Sequence, residues 1–256
     1  MTSLSTYIIN LDRNPDRWSH IKNVFEGNFF SLQRIVAFDG RELTLPSPSF
    51  DENRFKRFHG RVLNIYELAC YLSHLKAIDA FLATEEEYAL FGEDDIFPRS
   101  PLEEIIRAAL EEKKYWNILR LTALCQNQPL PLKKITRNAT LSLYLGRVKG
   151  AGAYLLDRKA AKAFKRYLLP MWLPWDHAFD REWIYGLRAL ALTPFPLSQT
   201  EEYFPSTIQG NSQSKLSTWQ RWWSTYPYQA FNEMNRFIYR LGAFLSYKGS
   251  RLLPKK

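Results

Sequence analysis

Tyr88-Ala89-Leu90-Phe91-Gly92-Glu93-Asp94-Asp95 is the stretch that decides the fold of this chain. Tyr88 to Phe91 is a short apolar run of the kind a buried strand requires, and three consecutive acids follow it. Open α/β sheets bind ligands outside the carboxyl ends of their strands. A strand ending in Glu93-Asp94-Asp95 therefore concentrates negative charge where a ligand would sit. That charge is costly unless a cation offsets it, and Mg²⁺ or Mn²⁺ suits one or two carboxylates together with phosphate oxygens and water. A solvated turn ahead of the next helix accounts for the same residues without a ligand.

Upstream, Tyr7-Ile8-Ile9-Asn10-Leu11 reads as a buried first strand running into Asp12-Arg13-Asn14-Pro15, with Asn14 as helix cap and Pro15 at the first helical position. Arg13 and Arg17 flank that helix start, where backbone N–H groups and guanidinium forks together suit an anion; two arginines on a solvated helix are the plainer explanation. A second helix is expected from Asn64, with Glu67 as capping-box partner and Leu68, Tyr71, Leu72, Leu75, Ile78 and Leu82 on its apolar face. Ser73 and His74 lie on this helix, among core positions. Ser100-Pro101-Leu102-Glu103 has the order cap, first-position proline and capping-box acid.

Downstream, Asn117 to Leu121, Leu141 to Val148 and Gly150 to Leu156 read as strands, the last entering a helix over Arg158 to Leu168. A Pro/Trp segment then leads into a helix from Asp176, which a cap role explains. Trp172, Trp175, Phe179 and Trp183 around it fit either a core or a sugar platform. Strands alternating with helices imply a largely parallel α/β sheet with helices on its faces.

The composition, 46% hydrophobic and 15% aromatic, argues against disorder, and two cysteines make neither a disulfide framework nor a metal cluster. No basic-then-apolar leader and no run of about 18 apolar residues is present, so a cytoplasmic protein is expected. The net charge of +9 is uneven: residues 215–256 hold eight Lys/Arg against Glu233, which is +7, leaving +2 for residues 1–214. Ser217 and Gln220 form a capping box, Trp219, Trp222, Trp223 and Tyr226 share one helical face, and Pro227 is expected to end that helix. A second amphipathic helix follows, with Phe231, Met234, Phe237, Ile238, Leu241, Phe244 and Leu245 apolar and Asn232, Arg236 and Arg240 polar. These residues suggest a catalytic domain over 1–214 and a basic aromatic helical tail over 215–256. Such a tail suits an anionic membrane surface, with the protein peripheral on the inner face of the cytoplasmic membrane.

Taken in order, Ile9-Asn10-Leu11-Asp12-Arg13 with Arg17, Ala37-Phe38-Asp39-Gly40, Glu67 with Cys70-Tyr71-Leu72-Ser73-His74, and Leu90 to Asp95 resemble the landmarks of glycosyltransferase family 25, the lipopolysaccharide galactosyl- and glucosyltransferases. Gly152 to Leu156 with Ala160-Ala161, Pro174-Trp175-Asp176, and Pro196 to Gln199 with Ser206-Thr207-Ile208 continue the likeness to residue 208. The family's glycines around Glu67 are replaced by Tyr66 and Leu68-Ala69.

The resemblance implies a GT-A-like Rossmann-type mixed sheet with helices on both faces, a UDP-sugar donor, an oligosaccharide or lipid-linked glycan acceptor, a divalent metal (Mn²⁺ or Mg²⁺) and inversion at the anomeric carbon. It implies donor contacts from Asn10, Leu11, Arg13, Arg17, Asp39, Gly40, Ser73, His74 and Asp94, metal ligation by Asp95 with Glu93, and Asp176 and Glu93 as catalytic carboxylates. A nucleic-acid-binding protein is disfavoured, because the body without its tail carries only +2 and no basic stripe crosses the acids. A metal-dependent phosphoesterase would want more ligands than four unpaired histidines supply, and a non-catalytic sugar-binding relative would not need the acidic triplet.

Overall fold

The structure, a computed structural model, describes residues 3–124, 127–199 and 214–252. Cys125 and the Ser206-Thr207-Ile208 landmark lie outside them. In chain order the elements are β1 (Leu4–Asn10), α1 (Pro15–Val24), β2 (Phe30–Val36), α2 (Glu52–His59), α3 (Ile65–Leu82), β3 (Tyr88–Glu93), β4 (Ile96–Pro98), α4 (Leu102–Glu111), β5 (Ile118–Arg120), β6 (Leu130–Lys134), β7 (Thr140–Leu143), β8 (Ala153–Asp157), α5 (Arg158–Tyr167), α6 (Trp175–Phe179), β9 (Ala189–Thr193), β10 (Leu197–Gln199), α7 (Thr218–Trp223) and α8 (Thr225–Leu252).

Eight strands form one mixed sheet in the order β2-β1-β3-β8-β5-β9-β7-β6. Pairing is parallel for β1 with β2 and β3, and for β5 with β9; β8 runs antiparallel between β3 and β5, and β7 and β6 close the far edge antiparallel. β10 pairs with β4 in a separate ribbon that sets Gln199 opposite Ile96, just past the acids.

All seven residues of β1 are buried, as expected of a strand covered on both faces. Alternation then sorts the core. Tyr7, Ile9, Phe91 and Tyr154 point to the side packed by α3, α5 and α6. Ile8, Leu90, Leu155 and Leu119 point to the side packed by α1, α4 and Tyr247 of α8. The α/β class with helices on both faces is what the sequence led us to expect.

Helix starts depart from expectation in detail. Pro15 opens α1, but the Asn14 side chain makes no cap bond. Asn64 does cap α3, accepting from the Tyr66 N–H at 3.1 Å. α4 begins at Leu102 with Pro101 in the cap position, so the Ser100 start is shifted by one residue. α6 begins at Trp175 after Pro174, so Asp176 lies in the first turn and caps nothing. Ser217 and Gln220 form the expected capping box, but α7 ends at Trp223 and Pro227 falls in the first turn of α8. Proline is tolerated there because the missing N–H has no intrahelical acceptor.

The main correction concerns α8. Its arginines were read as part of a basic surface for an anionic membrane, yet Asn232, Arg236 and Arg240 are buried, while Phe231, Met234, Phe237, Ile238 and Leu245 are 46–61% exposed. The cause lies about fifty residues earlier, in the fully buried acids Asp180 and Glu182. Asp180 accepts from Arg120 at 2.9 Å and Arg240 at 2.7 Å and pairs with Arg236 at 3.2 Å, and Glu182 accepts from Arg240 at 2.5 and 2.9 Å. Burial opposes the charge on Asp180, but Arg240, Arg120 and Arg236 hold its carboxyl below the usual range. Buried charge without partners costs several kcal/mol, so the helix turns its cations inward and leaves apolar groups outside. These ion pairs cross the expected division at residue 214.

Candidate functional site

The carboxyl ends of β1 and β3 open into a cleft of about 110 Å³ between α1 and α3. Leu11, Arg13, Arg17, Gly40, Ser73, His74, Glu93, Asp94 and Asp95 line it, so nine of the twelve residues expected at the site converge there. Asn10 lies directly beneath, and Asp39 at the rim. Asp176 is not among the lining residues.

The three acids are held differently. Asp94 is buried, and Oδ2 accepts from Asn10 Nδ2 at 2.7 Å while Oδ1 accepts from Arg17 at 3.0 Å. Asn10 also donates to the Asn14 carbonyl and accepts from Arg34. Burial raises the Asp94 carboxyl against the pull of Asn10 and Arg17. This pair ties β1, β3 and α1 together at the strand ends. Glu93 Oε1 lies 3.3 Å from His74 Nε2 and Oε2 accepts from Gln199 at 3.1 Å. The same Gln199 amide donates to Asp95 Oδ1 at 3.0 Å. Burial, and then the Glu93 charge, pushes the Asp95 carboxyl up to about 7.

Other expected residues support the cleft walls. Arg13 ion-pairs with Asp39, which also accepts from the Arg41 N–H and guanidinium. Ser73 accepts from the Phe38 N–H at 2.9 Å and donates to the Ala69 carbonyl at 2.7 Å, so its hydroxyl pins a loop to α3. A Cβ at Gly40 would lie 2.5 Å from the Tyr66 ring, so this position needs glycine. His74 is fully buried, stacked on Trp175 with ring centroids 4.6 Å apart, and its Nδ1 lies 2.9 Å from the Tyr154 hydroxyl. It therefore lines the cleft with both ring nitrogens engaged, by Tyr154 and by Glu93.

Two groups of potential metal ligands meet here. Cys70, His74 and Glu93 place ligand atoms within 4.8 Å of one another. Thiolate with imidazole is a soft set that suits zinc better than Mg²⁺ or Mn²⁺, and burial and the charges of Glu93 and Asp176 push the Cys70 thiol up. The second is the carboxylate pair Glu93 and Asp95, bridged by the Gln199 Nε2 amide, whose Oε1 is a buried acceptor with no hydrogen-bond partner. Hard oxygen donors fit Mg²⁺ or Mn²⁺, so the residues present suit the expected ion.

Gln199 and Cys70 were not singled out as site residues from sequence. Gln199 was quoted in the closing landmark, and only the β10–β4 ribbon shows why it matters. Asp176 is half-buried, and its carboxylate makes no hydrogen bond or ion pair among the described residues.

Fold and cleft together define a mixed α/β protein with an acidic, arginine-flanked site at the carboxyl ends of parallel strands. The family model "Glycosyltransferase family 25 (LPS biosynthesis protein)" matches residues 3–179, and the chain belongs to that family. It is similar to proteins of Drosophila pseudoobscura pseudoobscura and Aedes aegypti, each described as "Glycosyltransferase 25 family member", with 30% identity over 95 residues in both cases. That segment is 35% of this chain but only 15% and 16% of those relatives. Among solved structures, the galactosyltransferase LgtC in complex with donor and acceptor sugar analogs is similar over 72% of this chain and 65% of its own, at 11% identity and a TM-score of 0.33. So distant a likeness bears on nothing further.

Proposed function

We propose that the chain transfers a hexose, galactose foremost, from a UDP-sugar to a lipopolysaccharide or lipooligosaccharide acceptor, with inversion. The observation that carries this is the acidic strand end held between Arg17 and Gln199 in a member of this family. A divalent cation held by Glu93 and Asp95 would stabilise charge developing on the leaving diphosphate. Arg13 and Arg17, at the cleft mouth, can exchange their carboxylate partners for phosphate oxygens and add bidentate contacts. Glu93 is engaged at both oxygens, which suits a ligand held in a fixed orientation. Asp176 is the carboxylate left unengaged, and we assign it the acceptor hydroxyl, whose proton it takes as the hydroxyl attacks the anomeric carbon.

The exposed aromatic and apolar edge supports attachment to an anionic leaflet on the cytoplasmic side. Trp219, Trp222 and Trp223 are 62–71% exposed, and no helix among the described residues is long and apolar enough to cross a membrane. Because Arg236 and Arg240 are spent internally, apolar insertion and not charge dominates this contact, and it should persist at high salt.

The deciding experiment measures Mn²⁺ binding by calorimetry beside UDP release from UDP-hexoses. Asp95→Asn should remain folded, lose Mn²⁺ binding and lose turnover by about a hundredfold or more. Wild-type turnover in EDTA refutes the metal assignment, and absence of turnover with every UDP-hexose refutes the donor.

A further inference from the structure

A second, larger cavity of about 300 Å³ lies three strands away from the acidic cleft, at the far end of the sheet. Strand spacing makes that separation about 14 Å from β3 to β9. Its walls are Leu132 of β6, Leu143 of β7, Leu190 of β9, and Ala243 and Tyr247 on the inner side of α8. Glu182 and Arg240 also reach it, but they neutralise each other through two hydrogen bonds. The remaining charge is Arg188, an exposed lining residue whose guanidinium has no ion pair among the described residues.

An apolar chamber of about 150 Å³ admits benzene, so one of twice that volume takes a chain of roughly ten to twelve carbons. A neutral apolar ligand would leave Arg188 unused, whereas an anionic headgroup at the mouth would pair with it. The outer side of the same helix carries Phe237, Ile238 and Leu245 exposed, so the helix that covers the cavity is the one whose outer side is assigned above to the bilayer.

We propose that this cavity binds a linear alkyl chain bearing an anionic headgroup, with the chain between α8 and the β9-β7-β6 edge and the headgroup on Arg188. The site is separate from sugar transfer and does not require it.

The test uses the full chain and monomeric dodecyl phosphate, read by calorimetry in the absence of any sugar nucleotide. Saturable 1:1 binding is expected. Ala243→Trp fills the chamber and should abolish binding, and Arg188→Glu, at an exposed position, should weaken it at least tenfold. No binding by wild type, equal binding by a folded Ala243→Trp, or unchanged affinity in Arg188→Glu overturns the proposal. Competition with phosphatidylglycerol vesicles assigns the source, and both outcomes support the site. Displacement of the amphiphile identifies a bilayer lipid, and its retention identifies a free amphiphile.

Discussion

Arg240→Met is the sharpest perturbation the structure offers. The Arg240 side chain is 4% exposed, and its guanidinium serves Glu182 twice, Asp180 once, and the Tyr144 and Gly146 carbonyls at 3.1 and 2.7 Å. Asp180 keeps Arg120 and Arg236 after the change. Glu182, 1% exposed, loses the only cation paired with it among the described residues. Stranding one member of a buried pair costs about 3–5 kcal/mol, and two carbonyls lose donors besides. For a chain of this size each kcal/mol moves Tm by about 2–4 °C, so a fall of roughly 6–20 °C is expected. Urea titration followed by circular dichroism measures the loss directly. Lys248→Met, at an exposed position of the same helix, should change stability by less than about 0.5 kcal/mol. Adding Glu182→Leu to Arg240→Met should recover much of the deficit, because the stranded charge is gone. If Arg240→Met costs under about 1 kcal/mol, the buried cluster does not hold α8 in place and the account is wrong.

Two further outcomes are expected. His59 is buried, its ring nitrogens have no hydrogen-bond partner, and burial followed by His177 and nearby arginines lowers its pKa from 6.5 to about 3. The unfolded chain therefore takes up this proton first, so stability falls as pH drops from 6.5 towards 3, by a ceiling of about 4–5 kcal/mol. His59→Phe should flatten the urea midpoint against pH in that window, and an unchanged slope rejects the assignment. Separately, a Cβ on Gly152 would sit 2.3–2.6 Å from the Gln199 amide, a movable side-chain end. Gly152→Ala should displace Gln199 from Glu93 and Asp95, cutting UDP-sugar turnover and Mn²⁺ affinity at least tenfold while shifting Tm little; wild-type Mn²⁺ affinity counts against the Gln199 bridge.

The acidic strand end was legible because the apolar run and the acids are contiguous, and local sequence alone sets where a strand stops. Arg13 and Arg17 were legible for the same reason, sitting one turn beyond β1. What stayed hidden was made by chain segments far apart in sequence. Gln199 reaches the acids through a ribbon formed with residues a hundred positions earlier, and His74 is stacked between α3 and α6 with its nitrogens committed. The burial of Arg236 and Arg240 was missed because amphipathic periodicity assigns charged residues to the solvent or membrane side. That assignment holds where the partner surface is apolar, and here the partner surface contains Asp180 and Glu182. Two acids near four tryptophans and tyrosines gave no local sign that they were buried.

The inward cations of α8 also order events during synthesis. Arg236 and Arg240 follow Asp180 by 56 and 60 residues, and at about 5–20 residues per second the ribosome needs several seconds to supply them. Over that interval the sheet can form while Asp180 has Arg120 as its partner and Glu182 still lacks Arg240. A nascent chain in this state resembles a nearly finished domain carrying a charge defect, held open until one late helix arrives. Ribosomes stalled before Arg236 would accordingly display a protease-sensitive chain, and extension until Arg236 and Arg240 emerge would close it in a single cooperative step.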